Sequence, residues 1–464
     1  FGSWVAVFRV VYHWTIGDGE RTMSQGQNKT FQPPRRQKVL AINTRRLTPD
    51  KRFLAQELLE VEVPQDVPPG CVQAVGGRIR FCGTDLHGLR GVSEKLREIL
   101  EAGEVPQERL HGSTTVGHPE HILNVHERSA RIVRVGPGVS PELIGRNMAM
   151  QVRWMGPYFD TESRAGNWSE SLYLGNIEGG IKDAPGGGGP VLTYPEQYIT
   201  LLPEGLDLYH GAATEPFAMS GKAIREGCAA GMQRRRNTFG QPDYPLMLDP
   251  DSYVPADPLS NTPPPRDEVD KVRPCALVVG SGITAWGAAV NFIDRGFNTF
   301  LKGKSRWPDG HRKLKLAALL GVTIIDPDTP IKDVHRLCPM HRYDIIMDAS
   351  GDIQTCVDLI MTAQCGTVVC LFTIPGQPMI IPTDWGTLLH NLNMKHIVPV
   401  PSVNGNAEDY AHAAELLLKL EREKPEFFDM LYDCRYPTLD DMADQGHLSF
   451  EKVMAQYHDF PVPE

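Results

Sequence analysis

The sequence has no Cys-x-x-Cys pair, no long apolar run and no excess of basic charge, and each absence removes a class of protein. Nine cysteines stand scattered at 71, 82, 228, 275, 338, 356, 365, 370 and 434. An odd, unpaired set fits thiols in a reducing compartment, the cytoplasm, better than a disulfide framework. No stretch approaches the roughly 18 apolar residues of a membrane-spanning helix. Residues 1–14, FGSWVAVFRVVYHW, are apolar but broken by Arg9, with no basic leader and no clear cleavage site, so no signal peptide is expected. A formal net charge of -10 argues against nucleic acid as a partner. With 464 residues and 41% hydrophobic content, the chain is long enough for cores in two or three lobes.

The most informative stretch runs from Cys275 to Arg306, CALVVGSGITAWGAAVNFIDRGFNTFLKGKSR. An apolar run over Ala276–Val279 reads as a buried strand, and Gly280-Ser281-Gly282 breaks it. Helical spacing follows through Ala285, Ala288, Ala289 and Phe292, and a second strand, Thr299–Leu301, comes after Gly296. A strand, glycine turn, helix and strand within about thirty residues is the context in which such a turn signals a dinucleotide. Gly280 permits the turn, and Gly282 lets the backbone approach a pyrophosphate. Ile283 and Thr284 open the helix whose N-terminus faces the phosphates, and Ala285 lets that helix pack close to the strand. Where an acidic residue would hold a ribose 2′-hydroxyl, the chain has Lys302, Lys304, Ser305 and Arg306. That loop favours NADP and leaves NAD open. Further on, Asp344–Asp348 reads as a buried strand ending at Ser350, another cofactor candidate, and Gly366–Phe372 as the next one. Strands alternating with helices predict a doubly wound parallel sheet.

The first half reads differently, as many short strands. Its candidate chemistry is dispersed: Cys82 in a turn with Thr84 and Asp85, His118 in a second loop with Glu120, and Glu215 at the head of a helix. Cys, His and carboxylate from separate loops are what an open catalytic zinc site takes. The same residues also fit a buried thiol, loop histidines and a helix-start carboxylate.

Together these residues resemble the medium-chain dehydrogenase/reductase superfamily, in its glucose 1-dehydrogenase branch, from about Lys38 to the C-terminus. The Cys-Gly-Thr-Asp turn at 82–85 looks like the family's zinc turn, and Gly117-His118 like the start of its Gly-His-Glu motif, with Pro119 standing before Glu120. Glu215-Pro216 resembles the Glu-Pro at the zinc and sugar. Glu178 resembles the glutamate before Gly-Ile-Lys that contacts the sugar. Asn404, in Ser-Val-Asn, resembles the segment that touches nicotinamide and sugar. The resemblance implies a GroES-like catalytic domain and a Rossmann domain. The expected boundaries are an arm at 1–37, with 1–22 extraneous, then 38–214, 215–395 with a Pro-rich insertion at 241–274, and 396–464 returning to the catalytic domain. It also implies one catalytic zinc held by Cys82, His118, Glu120 and Glu215, with no structural zinc, because no cysteines lie between Met150 and Pro190. In that reading Thr84 relays a proton while an aldose is oxidised at C1 to the lactone, and the protein is a dimer or tetramer. Another polyol or alcohol dehydrogenase, or an NADPH-binding protein without catalysis, are the alternatives.

Overall fold

The computed structural model describes residues 31–43, 56–82, 121–154, 177–181, 183–239, 274–338, 341–372, 381–445 and 455–463. Contacts separate Phe1–Gln32 from Pro33–Glu464, and the elements below lie in the second unit. Short alternating segments build its first part: β1 (Arg36–Asn43), β2 (Gln56–Glu62), β3 (Cys71–Val75), β4 (Gly77–Arg80), β5 (His121–Leu123) and β6 (Glu127–Val135). After these come β7 (Asn147–Met150), β8 (Arg153–Trp154), β9 (Ile177–Gly179), β10 (Asp183–Ala184), β11 (Val191–Pro195) and β12 (Ile199–Leu201). β1 and β2 form an antiparallel pair, and β6 lies at the centre of the largest sheet, against β3, β4 and β7.

Period-two alternation sends Val72, Ala74, Ala130, Ile132, Met148, Met150, Leu192 and Tyr194 into one core. At the start of β6 the alternation stops: Glu127, Arg128 and Ser129 are all buried. Consecutive buried polar residues need partners on both faces of a strand.

Helix α1 (Thr214–Phe239) leads to the second architecture. Strands β13 (Cys275–Val279), β14 (Asn298–Lys302), β15 (Thr323–Ile325), β16 (Ile345–Asp348), β17 (Val368–Leu371) and β18 (Val398–Pro401) form one parallel sheet, ordered β15-β14-β13-β16-β17-β18. Every residue of β13 and β16 is buried, which accounts for their apolar letters up to Asp348. Prolines 399 and 401 are tolerated because β18 is the edge strand. Helices α2 (Ile283–Asp294), α3 (Arg312–Leu320), α4 (Ile353–Thr362) and α5 (Trp385–Met394) lie between the strands in sequence. The order reverses between β13 and β16, and ligands of such sheets bind in the crevice at that switch point. The doubly wound sheet read from the sequence is present.

Helix α6 (Ala407–Glu423) starts with a capping box of Asn406 and Asp409 and packs along α1. Arg225 of α1 grips the Asp409 carboxylate with both forks, at 2.9 and 3.0 Å. After α7 (Glu426–Leu431), β19 (Cys434–Arg435) and α8 (Leu439–Gln445), the last strand, β20 (Gln456–Phe460), returns to pair with β4. Arg78 of β4 holds Asp459 of β20 at 2.6 Å and lies over the Tyr432 and Tyr457 rings, about 4 Å from each. The Pro-rich stretch 241–274 falls outside the described residues except for Pro274.

Candidate active site

The crevice of the parallel sheet is shaped as the glycines require. Gly280 sits at φ +134°, and a Cβ there would lie 2.4 Å from the Ala349 carbonyl oxygen, so only glycine lets the ends of β13 and β16 meet. At Gly282, the N-cap of α2, a Cβ would meet nothing within 4 Å, and no side chain caps the helix. Open space beside orphan helix N–H groups is a phosphate cradle. Ile283 packs into the core, so it offers the crevice only main-chain atoms, while Thr284 is half-buried. Ser350 is tied to its own turn: its N–H and hydroxyl donate to Asp348 Oδ1 at 3.1 and 2.6 Å.

The basic loop is only partly as expected. Lys304 and Ser305 are exposed, but Arg306 is engaged by Asp326 and Asp328, at 2.8 and 2.9 Å. Lys302 is buried and donates to the Pro327 carbonyl at 2.6 Å, with burial lowering its pKa. A different cation lies at the turn itself. Lys313, in a segment whose letters read as the basic face of a helix, is 1% exposed, and its ammonium stands 3.3 Å from the Ser281 hydroxyl. The same ammonium lies over the Trp307 ring, 5.4 Å from its centre, a cation–π contact that helps offset its burial.

Across the other half, the ligand atoms of Cys82, His126 and Glu127 all lie within 4.8 Å of one another, the one such His, Cys and carboxylate group among the described residues. Cys82 follows β4, and His126 immediately precedes Glu127, the first residue of β6, so strand pairing brings them together. Arg80 forms a buried ion pair with Glu127, each side chain about 1% exposed. Thiolate, imidazole and carboxylate are donors that suit zinc, and three protein ligands are the number a catalytic zinc site uses. Thr84, His118 and Glu120 lie outside the described residues. Glu215 is buried in the first turn of α1 but is not among the three clustered ligands, which departs from its expected place on the metal.

His126 went unnoticed because Val125, not glycine, precedes it. Val125 nevertheless adopts φ +73°, a left-handed conformation that a β-branched residue rarely takes. Its side chain is fully buried with Leu40, Ile79 and Phe81, and that packing opposes a backbone strain of about 1–3 kcal/mol. Val125→Gly should therefore change stability by less than about 1 kcal/mol, strain relief offsetting lost burial, whereas Val125→Ala should cost about 2 kcal/mol. Urea unfolding of both variants checks the pair.

The glycine-rich run holds this segment in place. Gly186, Gly187 and Gly188 donate main-chain bonds to Leu123, Val125 and Asn124 at 3.1, 2.7 and 3.1 Å. A Cβ on Gly186 would approach the Asn124 carbonyl to 2.3 Å, and one on Gly187 would meet Arg128 Cδ at 2.6 Å. Arg128, fully buried, donates to the carbonyls of Gly76, Gly187, Gly189 and Pro190.

Two further predicted residues meet each other. Asn404, in a left-handed turn at φ +56°, donates from Nδ2 to Glu178 Oε1 at 2.8 Å. Its loop is pinned to α1, where Lys222 donates to the Val403 carbonyl at 3.3 Å and Glu226 accepts from Ser402 at 2.6 Å. Arg153 of β8, opposite Glu178 in the register, places Nη2 3.4 Å from the same Oε1. Gly180, two residues beyond Glu178, abuts the Val125 carbonyl, so this group adjoins the Cys82 cluster. Both Glu178 and Glu215 act on the buried Tyr410 phenol, whose pKa burial pushes well up.

A parallel sheet with a glycine turn at its switch point, and an antiparallel sheet carrying a Cys, His and Glu cluster, make a two-part α/β fold. Residues 245–444 match the family described as glucose dehydrogenase C-terminus. Glucose dehydrogenase from Haloferax mediterranei, solved in complex with NADP, Zn and gluconolactone, is 18% identical with a TM-score of 0.65, over 92% of this chain and 100% of that one. Galactitol-1-phosphate dehydrogenase from Escherichia coli is 15% identical (TM-score 0.61), again over 92% and 100%. For 2R,3R-butanediol dehydrogenase from Bacillus subtilis the values are 16% and 0.59, with the same coverage. No curated protein sequence matches. The C-terminal part of the chain thus matches a glucose dehydrogenase family model, and the fold is shared with these dehydrogenases. No helix among the described residues is long and apolar enough to cross a membrane.

Proposed function

We propose that this chain is an NADP-dependent zinc dehydrogenase that oxidises a hydroxyl of a sugar or polyol, with C1 of an aldose as the preferred position. The observation that carries the reading is the Cys82, His126 and Glu127 cluster beside the Glu178–Asn404 pair. His126 and Glu127 take the places assigned by resemblance to His118 and Glu120. When bound, zinc supplies Lewis acidity toward a substrate oxygen and NADP supplies the hydride acceptor.

The residues of this chain bind and orient. Cys82, His126 and Glu127 hold the metal, and Arg80 offsets the buried Glu127 carboxylate. Glu178 and Asn404 bind substrate hydroxyls, Asn404 on the nicotinamide side as well. Thr84, two residues beyond Cys82, carries the departing hydroxyl proton outward. Glu215, buried at the head of α1, borders the substrate rather than completing the metal's donor set. Gly280, Gly282 and the start of α2 receive the pyrophosphate. Lys313, at the Ser281 turn, and Lys304 supply positive charge for the phosphates of NADP, including the one on the ribose.

The test is turnover of a panel of aldoses, polyols and simple alcohols with NADP and with NAD. Activity on at least one aldose or polyol with NADP is expected. NADPH binding with no turnover and no zinc would favour a catalytically lapsed protein instead. Lys313→Met should weaken NADPH binding about tenfold while changing NADH binding less, as expected for about 1.4 kcal/mol of lost charge pairing with phosphate. Fluorescence titration of the two nucleotides measures this.

A further inference from the structure

Arg153 is used by nothing derived so far. Its side chain is 2% exposed, and its one ion pair among the described residues, to Glu178 at 3.4 Å, falls on an oxygen that Asn404 already occupies. Nε and Nη1 are buried and have no hydrogen-bond partner among the described residues. A guanidinium carries five N–H donors in a rigid plane. Leaving several of them dry and unmatched is costly, and burial lowers the pKa of this group. A buried donor fork with open positions beside a substrate-side carboxylate is a binding surface waiting for oxygen atoms.

We propose, building on the dehydrogenase reading above, that Arg153 recognises the substrate directly by donating to the oxygens of a neutral vicinal diol. The choice of a neutral group over a phosphate or carboxylate rests on the surrounding charge. Glu178 already answers the positive charge of Arg153, Arg80 is taken by Glu127, and the buried Glu215 carboxylate acts on the same Tyr410 phenol as Glu178. An anionic substituent at Arg153 would meet Glu178 at close range. A hydroxyl instead accepts from the guanidinium and donates to Glu178 Oε2, which no hydrogen bond reaches among the described residues. Neighbouring hydroxyls match the parallel N–H directions of the fork. Arg153 and Glu178 thus act as a donor and acceptor pair that reads hydroxyl pattern, and Asn404 fixes the carboxylate between them.

The zinc-loaded full chain is assayed with D-glucose, D-xylose and D-sorbitol as neutral probes and glucose 6-phosphate as the anionic one. Wild type is expected to turn over at least one neutral probe faster than the phosphate. Arg153→Gln should raise KM for that probe about tenfold or more, because a site built to bond hydroxyls loses most when one partner is removed. NADPH affinity and melting temperature serve as the folding controls, and Arg153→Lys keeps the charge if the Gln variant does not fold. The decisive readout uses monodeoxy analogues of the preferred probe. One of them should cost wild type about tenfold in kcat/KM and cost Arg153→Lys almost nothing, since the lost hydroxyl has no fork to reach. Equal penalties in both proteins, or preference for the phosphorylated sugar, would overturn the role of Arg153 alone. No turnover of any probe by wild type would overturn the dehydrogenase reading with it.

Discussion

His126→Ala is expected to remove zinc from the purified protein and lower turnover by roughly 10³-fold, with NADPH binding unchanged. A metal acting as Lewis acid is worth several kcal/mol, and each 1.36 kcal/mol is tenfold in rate. His126 is 2% exposed and its ring reaches Cys82 and Glu127 within 4.8 Å, so no other described residue stands ready to replace it. The crevice proposed for NADP lies in the parallel sheet, whose glycine turn shares no residue with this cluster, so nucleotide affinity is the internal control. Cys82→Ser should behave alike. His118→Ala should keep both zinc and most of the activity, which separates the two histidines by elemental analysis and a single assay.

Arg128→Met should cost at least about 3 kcal/mol of stability, the largest loss expected from a residue outside the metal and nucleotide sites. Four main-chain carbonyls converge on this guanidinium, and burial alone would push its pKa down to about 9. Removing it leaves those carbonyls buried and without their donor. Methionine fills much of the volume, so the loss reports hydrogen bonding rather than a cavity. Because the same glycine loop bonds Leu123, Asn124 and Val125, the variant should also bind zinc more weakly than wild type. Urea unfolding and zinc titration of Arg128→Met test both consequences.

The parallel sheet was legible because its central strands, β13 and β16, are short and wholly buried, and glycine turns follow them. The expected strand Thr299–Leu301 widens only to Asn298–Lys302. Glu178 and Asn404 were legible as a pair only through resemblance, since 226 residues separate them in sequence. The metal cluster was half legible. Cys82 stands in a recognisable turn, but a valine in a glycine conformation concealed His126, and Gly117 drew attention to His118 instead. The sequence did contain a usable signal, because His126 is followed directly by Glu127 and then by a long strand. Arg80, Arg153 and Lys313 were not legible at all. A strand pattern predicts which face a residue occupies, yet these three are buried by partners that arrive from other elements: Glu127, Glu178 and Trp307. Burial of a charge is a tertiary fact, and period two or 3.6 carries no trace of it.

The most direct test of the central claim is sugar-dependent reduction of NADP before and after removal of the metal by a chelator. The Cys82, His126 and Glu127 site predicts about one zinc per chain at this cluster, activity lost with the metal, and activity restored by added zinc but not in His126→Ala. Full activity in metal-free protein, or zinc retained unchanged in His126→Ala, would contradict it.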